Sequence, residues 1–262
     1  MGKAQWILLS VGIVTVAVMY LTLDSRPPEA YEYEDSRVFQ MQTTSASNLI
    51  REKLPKLDEE NQMRIRSINA SIENSSDLTD SVARMKELSG AWYQQEEPVL
   101  AGYYAEQVAE LEATAPSWSM AGTTYALALH KENVAPKERA FAADQARSAF
   151  EKAITLEPKN LDHRINLALT FVQAPLENQP MKGIQMLLEL NRKHPENASV
   201  IYQLGRLAIQ TGQYERAIER LERVLTLQPN RKNAHCLLAD AYASTQQPKK
   251  AEASRQACQM NN

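Results

Sequence analysis

The side chains able to hold a metal, attack a carbonyl or move a proton are sparse and scattered along this chain. The four histidines, His130, His163, His194 and His235, include no pair at i and i+4, the spacing that would put two imidazoles on one helix face for zinc. No G-x-S-x-G elbow, Walker loop or G-x-G-x-x-G turn occurs. Carboxylates are plentiful, 32 in all, but they fall on stretches that read as solvated helix faces. Cys236 and Cys258 form no C-x-x-C redox motif. No catalytic residue, metal ligand or cofactor site is therefore assigned, and the chain is read as a non-enzyme. A net charge of -3 gives no electrostatic reason to expect nucleic acid as a partner.

What the residues do favour is helix. Glycine numbers only 8 of 262 residues, aromatics are 6%, and Ala, Leu, Glu, Gln and Arg dominate, so the expected fold class is all-α. Residues 4–23, "AQWILLSVGIVTVAVMYLTL", are uncharged throughout and span roughly 30 Å as a helix, the depth of a bilayer's hydrocarbon core. Trp6 and Tyr20 lie near its ends, where amphipathic rings prefer the interface. The run exceeds a signal peptide's apolar region and lacks a small-x-small cleavage pair before Asp24. Residues 1–23 are thus expected to be an uncleaved transmembrane anchor. Lys3 and the α-amino group lie on one side, a single nearby Arg26 on the other; the balance favours an amino terminus in the cytoplasm and a periplasmic body on a bacterial inner membrane.

Residues 24–46, with Pro27, Pro28, clustered acids and a Ser/Thr run, have the composition of a flexible linker. From Asn48 a helical pattern begins. Leu49, Ile50, Leu54 and Leu57 bracket Pro55, which should kink the segment or start a new helix; Ile65, Ile68 and Ile72 then form an amphipathic stripe. This helical segment, 47–114, is expected to pack over the start of the helical region downstream of it. The sequons at Asn69, Asn74 and Asn197 are read as coincidental.

Fixed-period self-similarity then sets in. In "ASVIYQLGRLAIQTGQYERAIERLERVLTLQP" (198–229), Ile201, Leu204 and Ala208 mark one helix, Ala217, Leu221 and Val224 a second, with Gly212 between. Shifted by 34 residues, Leu238, Ala239 and Tyr242 recur with Ala251; earlier, Leu167, Ala168 and Phe171 recur with Gly183 and Leu187, with three extra residues in "APLENQP". Upstream, "WSMAGTTY" places Trp118, Ala121, Gly122 and Tyr125 ahead of Ala146, Phe150 and Pro158. Pro158, Pro195 and Pro229 close successive units. This pattern resembles the tetratricopeptide repeat, a helix-turn-helix unit of about 34 residues. Four units are expected, 115–160, 161–197, 198–231 and 232–262, with a fifth, degenerate one within 80–114 around Met85, Leu88, Ser89 and Trp92. The first of the four carries about twelve extra residues, "KENVAPKERAFA" (131–142), expected to project from the edge of the array.

The resemblance implies a right-handed α-solenoid whose concave groove is lined by the first helix of each unit and holds a protein or peptide. Carried over position by position, the groove residues are Ser119, Thr123, Asp162, Ile165, Leu169, Tyr202, Arg206, Cys236 and Asp240, with Ser199 and Asn233 at further positions. The lysine, asparagine and arginine clamp with which some members hold a carboxyl terminus is missing from these positions. The implied role is a membrane-anchored scaffold, an ancillary or assembly subunit of an envelope complex; the alternative is a holdase-like chaperone or translocon-associated factor for exported proteins. In a hairpin of this kind, opposite residues are taken to have unit positions summing to about 29, which offsets Cys236 and Cys258 by about a turn across axes roughly 8–10 Å apart. That exceeds disulfide reach, about 7 Å between Cα atoms, and two free thiols are expected, although an oxidising compartment argues the other way.

Overall fold

The structure is a computed structural model that describes residues 45–75 and 77–260. The anchor read at 1–23 and nearly all of the linker read at 24–46 lie outside the described residues. Among the described residues no helix is long and apolar enough to cross a membrane. The described chain is all-α. Its helices are α1 (Ala46–Lys53), α2 (Glu59–Glu73), α3 (Leu78–Gln94), α4 (Pro98–Glu112), α5 (Ala115–Leu127), α6 (Pro136–Leu156), α7 (Leu161–Gln173), α8 (Lys182–Lys193), α9 (Ala198–Gln210), α10 (Tyr214–Leu227), α11 (Lys232–Ser244) and α12 (Pro248–Met260). Of the described residues, 45–48 fall in a separate unit, where the Ser45 hydroxyl accepts the Asn48 amide at 3.2 Å. Pro55 does set a helix boundary: α1 gives way to a 3-10 turn over Leu54–Lys56, and Asp58 caps α2 by accepting the Asn61 amide.

Two recurring turns set the plan. At 92–97, 208–213 and 242–247 the last amide reaches the carbonyl five residues back, with distances of 3.1 Å (Glu97 to Trp92), 2.8 Å (Gln213 to Ala208) and 2.9 Å (Gln247 to Tyr242). The residue before it is left-handed: Glu96 at φ 59°, Gly212 at 71°, Gln246 at 59°. This is the Schellman closure, which satisfies the helix's last carbonyls while reversing the chain. The second turn separates successive pairs. After α6, α8 and α10, the amides of Glu157, His194 and Gln228 bond the carbonyl four residues back, and those of Asn160, Asn197 and Arg231 return to the carbonyls of those three residues. Pro158, Pro195 and Pro229 occupy the position just past each of these helix caps, where a missing N–H is harmless and helix cannot continue. Asn160 and Asn197 then cap α7 and α9, accepting the amides of Asp162 (3.1 Å) and Val200 (3.0 Å).

With both turns repeating, each helix packs mainly on its sequence neighbours, and the core runs as a file of clusters between them. Small residues decide how closely paired helices approach. A Cβ on Gly122 would lie 2.9 Å from the Phe150 ring, and one on Gly183 would lie 2.4 Å from the Ala168 carbonyl oxygen and 2.6 Å from the Val172 nitrogen. Ala146, Ala217 and Ala251, the counterparts of Gly183, are buried. Leu187, Leu221 and Val224 fill the space beside them and are fully buried.

At the amino-terminal end Leu49, Ile65 and Ile68 join Leu88, Trp92 and Leu100 in one core, so α1 and α2 cover the first pairs. The insertion at 131–142 does not project. Lys131 Nζ donates to the Glu96 carbonyl (2.7 Å) and carboxylate (2.9 Å), Arg139 donates to the carbonyls of Leu129 (2.6 Å) and Lys131, and Lys53 bridges Glu97 and Glu138 at 2.9 Å each. Ala142 is fully buried and Phe141 meets Tyr125 edge to face at 6.2 Å. The segment is a brace whose partners lie 35 and 85 residues away in sequence.

The expectation of free thiols is overturned: Cys236 and Cys258 form a disulfide with a Cα–Cα distance of 5.0 Å. The physical reason is the register of the hairpin. In the preceding pair Gly205 faces Leu221, whose side chain would sit 3.0 Å from a Cβ at 205. Moving each of those positions forward by 34 residues sets 239 opposite 255. Three residues back along α11 and three onward along the antiparallel α12 lie positions 236 and 258. The cysteines are therefore opposite one another rather than a turn apart. Backbone contact at Gly183 also makes a direct prediction. Gly183→Ala should cost about 3 kcal/mol in denaturant unfolding, because the obstacle is backbone. Gly90→Ala, whose Cβ meets nothing within 4 Å, should add up to about 1 kcal/mol. A Gly183→Ala variant as stable as wild type would show that α7 and α8 separate freely.

Candidate functional site

An open apolar surface lies where α3, α4 and α5 meet. A cavity of about 500 Å³ is lined by Gly90, Tyr93, Val108 and Met120 among others, with Lys86 and Glu112 also on its wall. A second, of about 540 Å³, lies against Tyr93, Pro98, Leu127 and Lys131. Tyr93 stands in the wall of both, so the two form a run across this face. Met120 is 63% exposed and Tyr93 58%, large apolar surfaces that the fold leaves wet. Gly90 keeps the α3 side open, since nothing lies within 4 Å of where its Cβ would be. Lys86 and Glu112 pair at 2.6 Å, and Ser117 also donates to Glu112; these two hydrogen bonds, Lys86 first, hold the carboxyl below its ordinary range.

The groove residues carried over from the repeat pattern divide. Thr123, Asp162 and Asp240 are exposed, and Ser119, Leu169, Tyr202 and Arg206 are half-buried. Arg231 stacks over Tyr202 at 4.2 Å, and Arg206 Nε donates to Gln203 at 2.9 Å, so both side chains are already held. Ile165 is not a surface residue. It is 3% exposed and packs with Leu187, Leu190 and Val200, because α8 and α9 close over that face of α7. Cys236 is committed to the disulfide. Lys86, Gly90, Tyr93 and Met120, which line this candidate surface, were not singled out from the sequence. The available signal was Met120 and Tyr93 as large apolar residues next to the core positions Ala121 and Trp92.

One polar chain resembles a nucleophile, a base and an acid. His163, 4% exposed, has Nδ1 3.2 Å from Ser119 Oγ and Nε2 3.3 Å from Glu157 Oε2. Ser119 lies inside α5, however, where its own amide and the next are spent in the helix ladder, so no donors face a developing oxyanion. The geometry suits a buried imidazole satisfied at both nitrogens, joining α5 to α7. Among the described residues no group of three His, Cys, Asp or Glu side chains is placed to hold a metal ion.

Antiparallel helix pairs closed by the same two turns define a helical repeat protein. Residues 177–231 and 208–254, a carboxy-terminal part of the chain, match the family model described as tetratricopeptide repeat. Among solved structures the chain is similar to one titled "Crystal structure of MamA", with 14% identity over 66% of this chain and 94% of that one and a TM-score of 0.43. It is also similar to "Crystal structure of YrrB: a TPR protein with an unusual peptide-binding site", with 17% identity over 74% and 92% and a TM-score of 0.39. No curated protein matches the chain.

Beneath α5 lies a buried carboxylate. Glu106 accepts the Tyr125 hydroxyl at 2.8 Å and meets Gln145 at 3.5 Å and Lys152 at 4.0 Å, while Lys152 itself sits 3.8 Å over the Trp118 ring. Burial raises the Glu106 pKa, and the Glu110 charge adds to it; Tyr125 and Lys152 oppose the rise without cancelling it. Burial likewise raises the Tyr125 phenol, with the Glu106 charge next. A carboxyl whose folded pKa lies above its unfolded value stabilises the fold most when protonated, and that contribution is lost as pH rises through the folded pKa. Glu106→Gln keeps an acceptor for Tyr125 and removes the titration. Its melting temperature should exceed wild type at neutral pH, with the gap shrinking as pH falls through the raised Glu106 pKa and levelling off below the ordinary carboxylate range. A gap that does not change with pH would mean that Glu106 is not the group responsible.

Proposed function

We propose that this protein is a membrane-anchored scaffold that holds a protein partner in the apolar groove between α3, α4 and α5. The observation that carries the proposal is the pairing of Met120 and Tyr93, both more than half exposed, in the walls of two adjoining cavities. Leaving such side chains in water is unfavourable by about 25 cal/mol per Å² of apolar area, a deficit that an occupant removes. The occupant is an extended or helical segment presenting apolar side chains to Tyr93 and Met120. Residues 4–23 provide the anchor, and an envelope complex is the setting proposed. Photocrosslinking from positions 93 and 120 in intact membranes should capture one protein. Binding of that protein should weaken about tenfold or more on Tyr93→Ala or Met120→Asp, as loss of a contact worth ~1.4 kcal/mol or more requires, with melting unchanged. Capture of many unrelated unfolded chains would instead mark a holdase, and unaltered affinity in both variants would remove the groove from the mechanism.

We propose further that the body lies on the oxidising side of the membrane. Supporting this, the only two cysteines of the chain are paired with each other, as thiols rarely are in the cytosol. In spheroplasts, added protease should digest the body, and Cys236 and Cys258 should take up a membrane-impermeant maleimide only after reductant is added. Protection from protease, or labelling only after lysis and without reductant, would reverse the orientation.

A further inference from the structure

A different surface is built for charge. Between α8, α9 and α10 lies a pocket of about 440 Å³ whose α10 wall carries Arg216, Arg220 and Arg223, with Pro195, Ile201 and Leu204 as its apolar lining. Among the described residues none of the three arginines has a carboxylate within ion-pair distance. Arg216 donates to Gln213 at 2.7 Å and Arg220 to the Leu204 carbonyl at 3.0 Å, and Arg223 has no hydrogen bond to a described residue. Glu219 is the one acidic residue lining the pocket. Burial, and then the charge of Arg216, press the Arg220 guanidinium below its ordinary value, and the Glu219 charge opposes the shift without cancelling it.

The repeat supplies an internal control. Relative to the small residue of each second helix (Ala146, Gly183, Ala217, Ala251), the arginines occupy positions -1, +3 and +6. The same positions hold Gln145, Ala149 and Lys152 in α6, Lys182, Met186 and Glu189 in α8, and Lys250, Ser254 and Ala257 in α12. The corresponding pocket one unit earlier, about 510 Å³, has Met186 and Glu189 at the second and third of these positions; its basic residues Lys159, Arg164 and Lys193 stand elsewhere in the lining, and Lys193 pairs with Glu189 at 2.5 Å. Where lysines do occur at position -1 they lie over aromatic rings, Lys182 on Phe171 at 4.0 Å and Lys250 on Tyr242 at 5.2 Å. Packing of a second helix therefore does not require three arginines, and this unit alone has them.

We propose that this pocket binds an acidic segment of a protein ligand through at least two carboxylates. Arg216 and Arg223 are seven residues apart, about 10 Å along the helix, too far for one tetrahedral anion to engage both ends. Two carboxylates on one segment span that distance and accept paired hydrogen bonds from guanidinium forks. Their methylene stems rest on Pro195, Ile201 and Leu204.

The test uses the full chain in detergent and a blocked peptide rich in Asp and Glu, compared with its Asn and Gln counterpart and with inorganic phosphate. The acidic peptide should bind saturably and the amide peptide should not. Arg216→Met with Arg223→Met should weaken binding at least tenfold and flatten its salt dependence, while melting stays at the wild-type value. Lys249→Met with Arg255→Met, which removes equal charge from α12, should leave binding intact, as should Met120→Asp in the apolar groove. Equal loss in the α12 variant, no loss in the α10 variant, or displacement of the peptide by phosphate at matching concentration would each overturn the proposal.

Discussion

The constraint on which the structure depends is the closeness of approach between the two helices of a pair. At Gly183 the partner's backbone, not a side chain, occupies the space a Cβ would need. At Gly122 it is the Phe150 ring. Backbone cannot repack, so such positions fix how two helices lie against each other, and that relation fixes where the next pair begins. The Schellman turns and the proline-bounded turns then copy the relation along the chain. Large residues such as Leu187, Leu221 and Val224 fill the space the small ones leave, which is why cores of adjoining pairs form a file rather than one central mass.

Local order of this kind was legible in the residues. Trp118, Gly122 and Tyr125, the spacing of Pro158, Pro195 and Pro229, and the small residues at 146, 183, 217 and 251 all describe relations within about one unit, and periodicity is sensitive to those. Pro55 worked the same way, since a proline acts on its own turn. Contacts that cross the repeat were not legible. The brace at 131–142 depends on Lys53, Glu96 and Glu97, which belong to no common pattern with it. Ile165 shows a second limit. Its position in the unit was read from the repeat, but whether that position is wet depends on how α8 and α9 lie over it, a property of neighbours rather than of the unit. The cysteines show a third, because an error of about three residues in the assumed pairing of two helices displaces opposite side chains by about a helical turn.

The candidate surfaces follow the same division. Tyr93 and Met120, and the arginines of α10, stand at positions the buried core does not use. Such positions are free to vary between units, and variation is what lets a regular array present different chemistry along its length. An apolar groove near one end and a cationic pocket near the other suit a ligand, or two ligands, of contrasting character, with the helices between them serving as a spacer.

The first and last described helices are held by different physics. At the amino-terminal end α1 and α2 cover the core with Leu49, Ile65 and Ile68, a seal whose strength follows the hydrophobic effect. At the other end α12 buries little beyond Ala251 and is tied to α11 by a covalent bond. A linear stack melts inward from whichever terminus is weaker. Temperature therefore governs fraying at one end and redox poise at the other, and the order in which the array comes apart is a property of the compartment as much as of the chain.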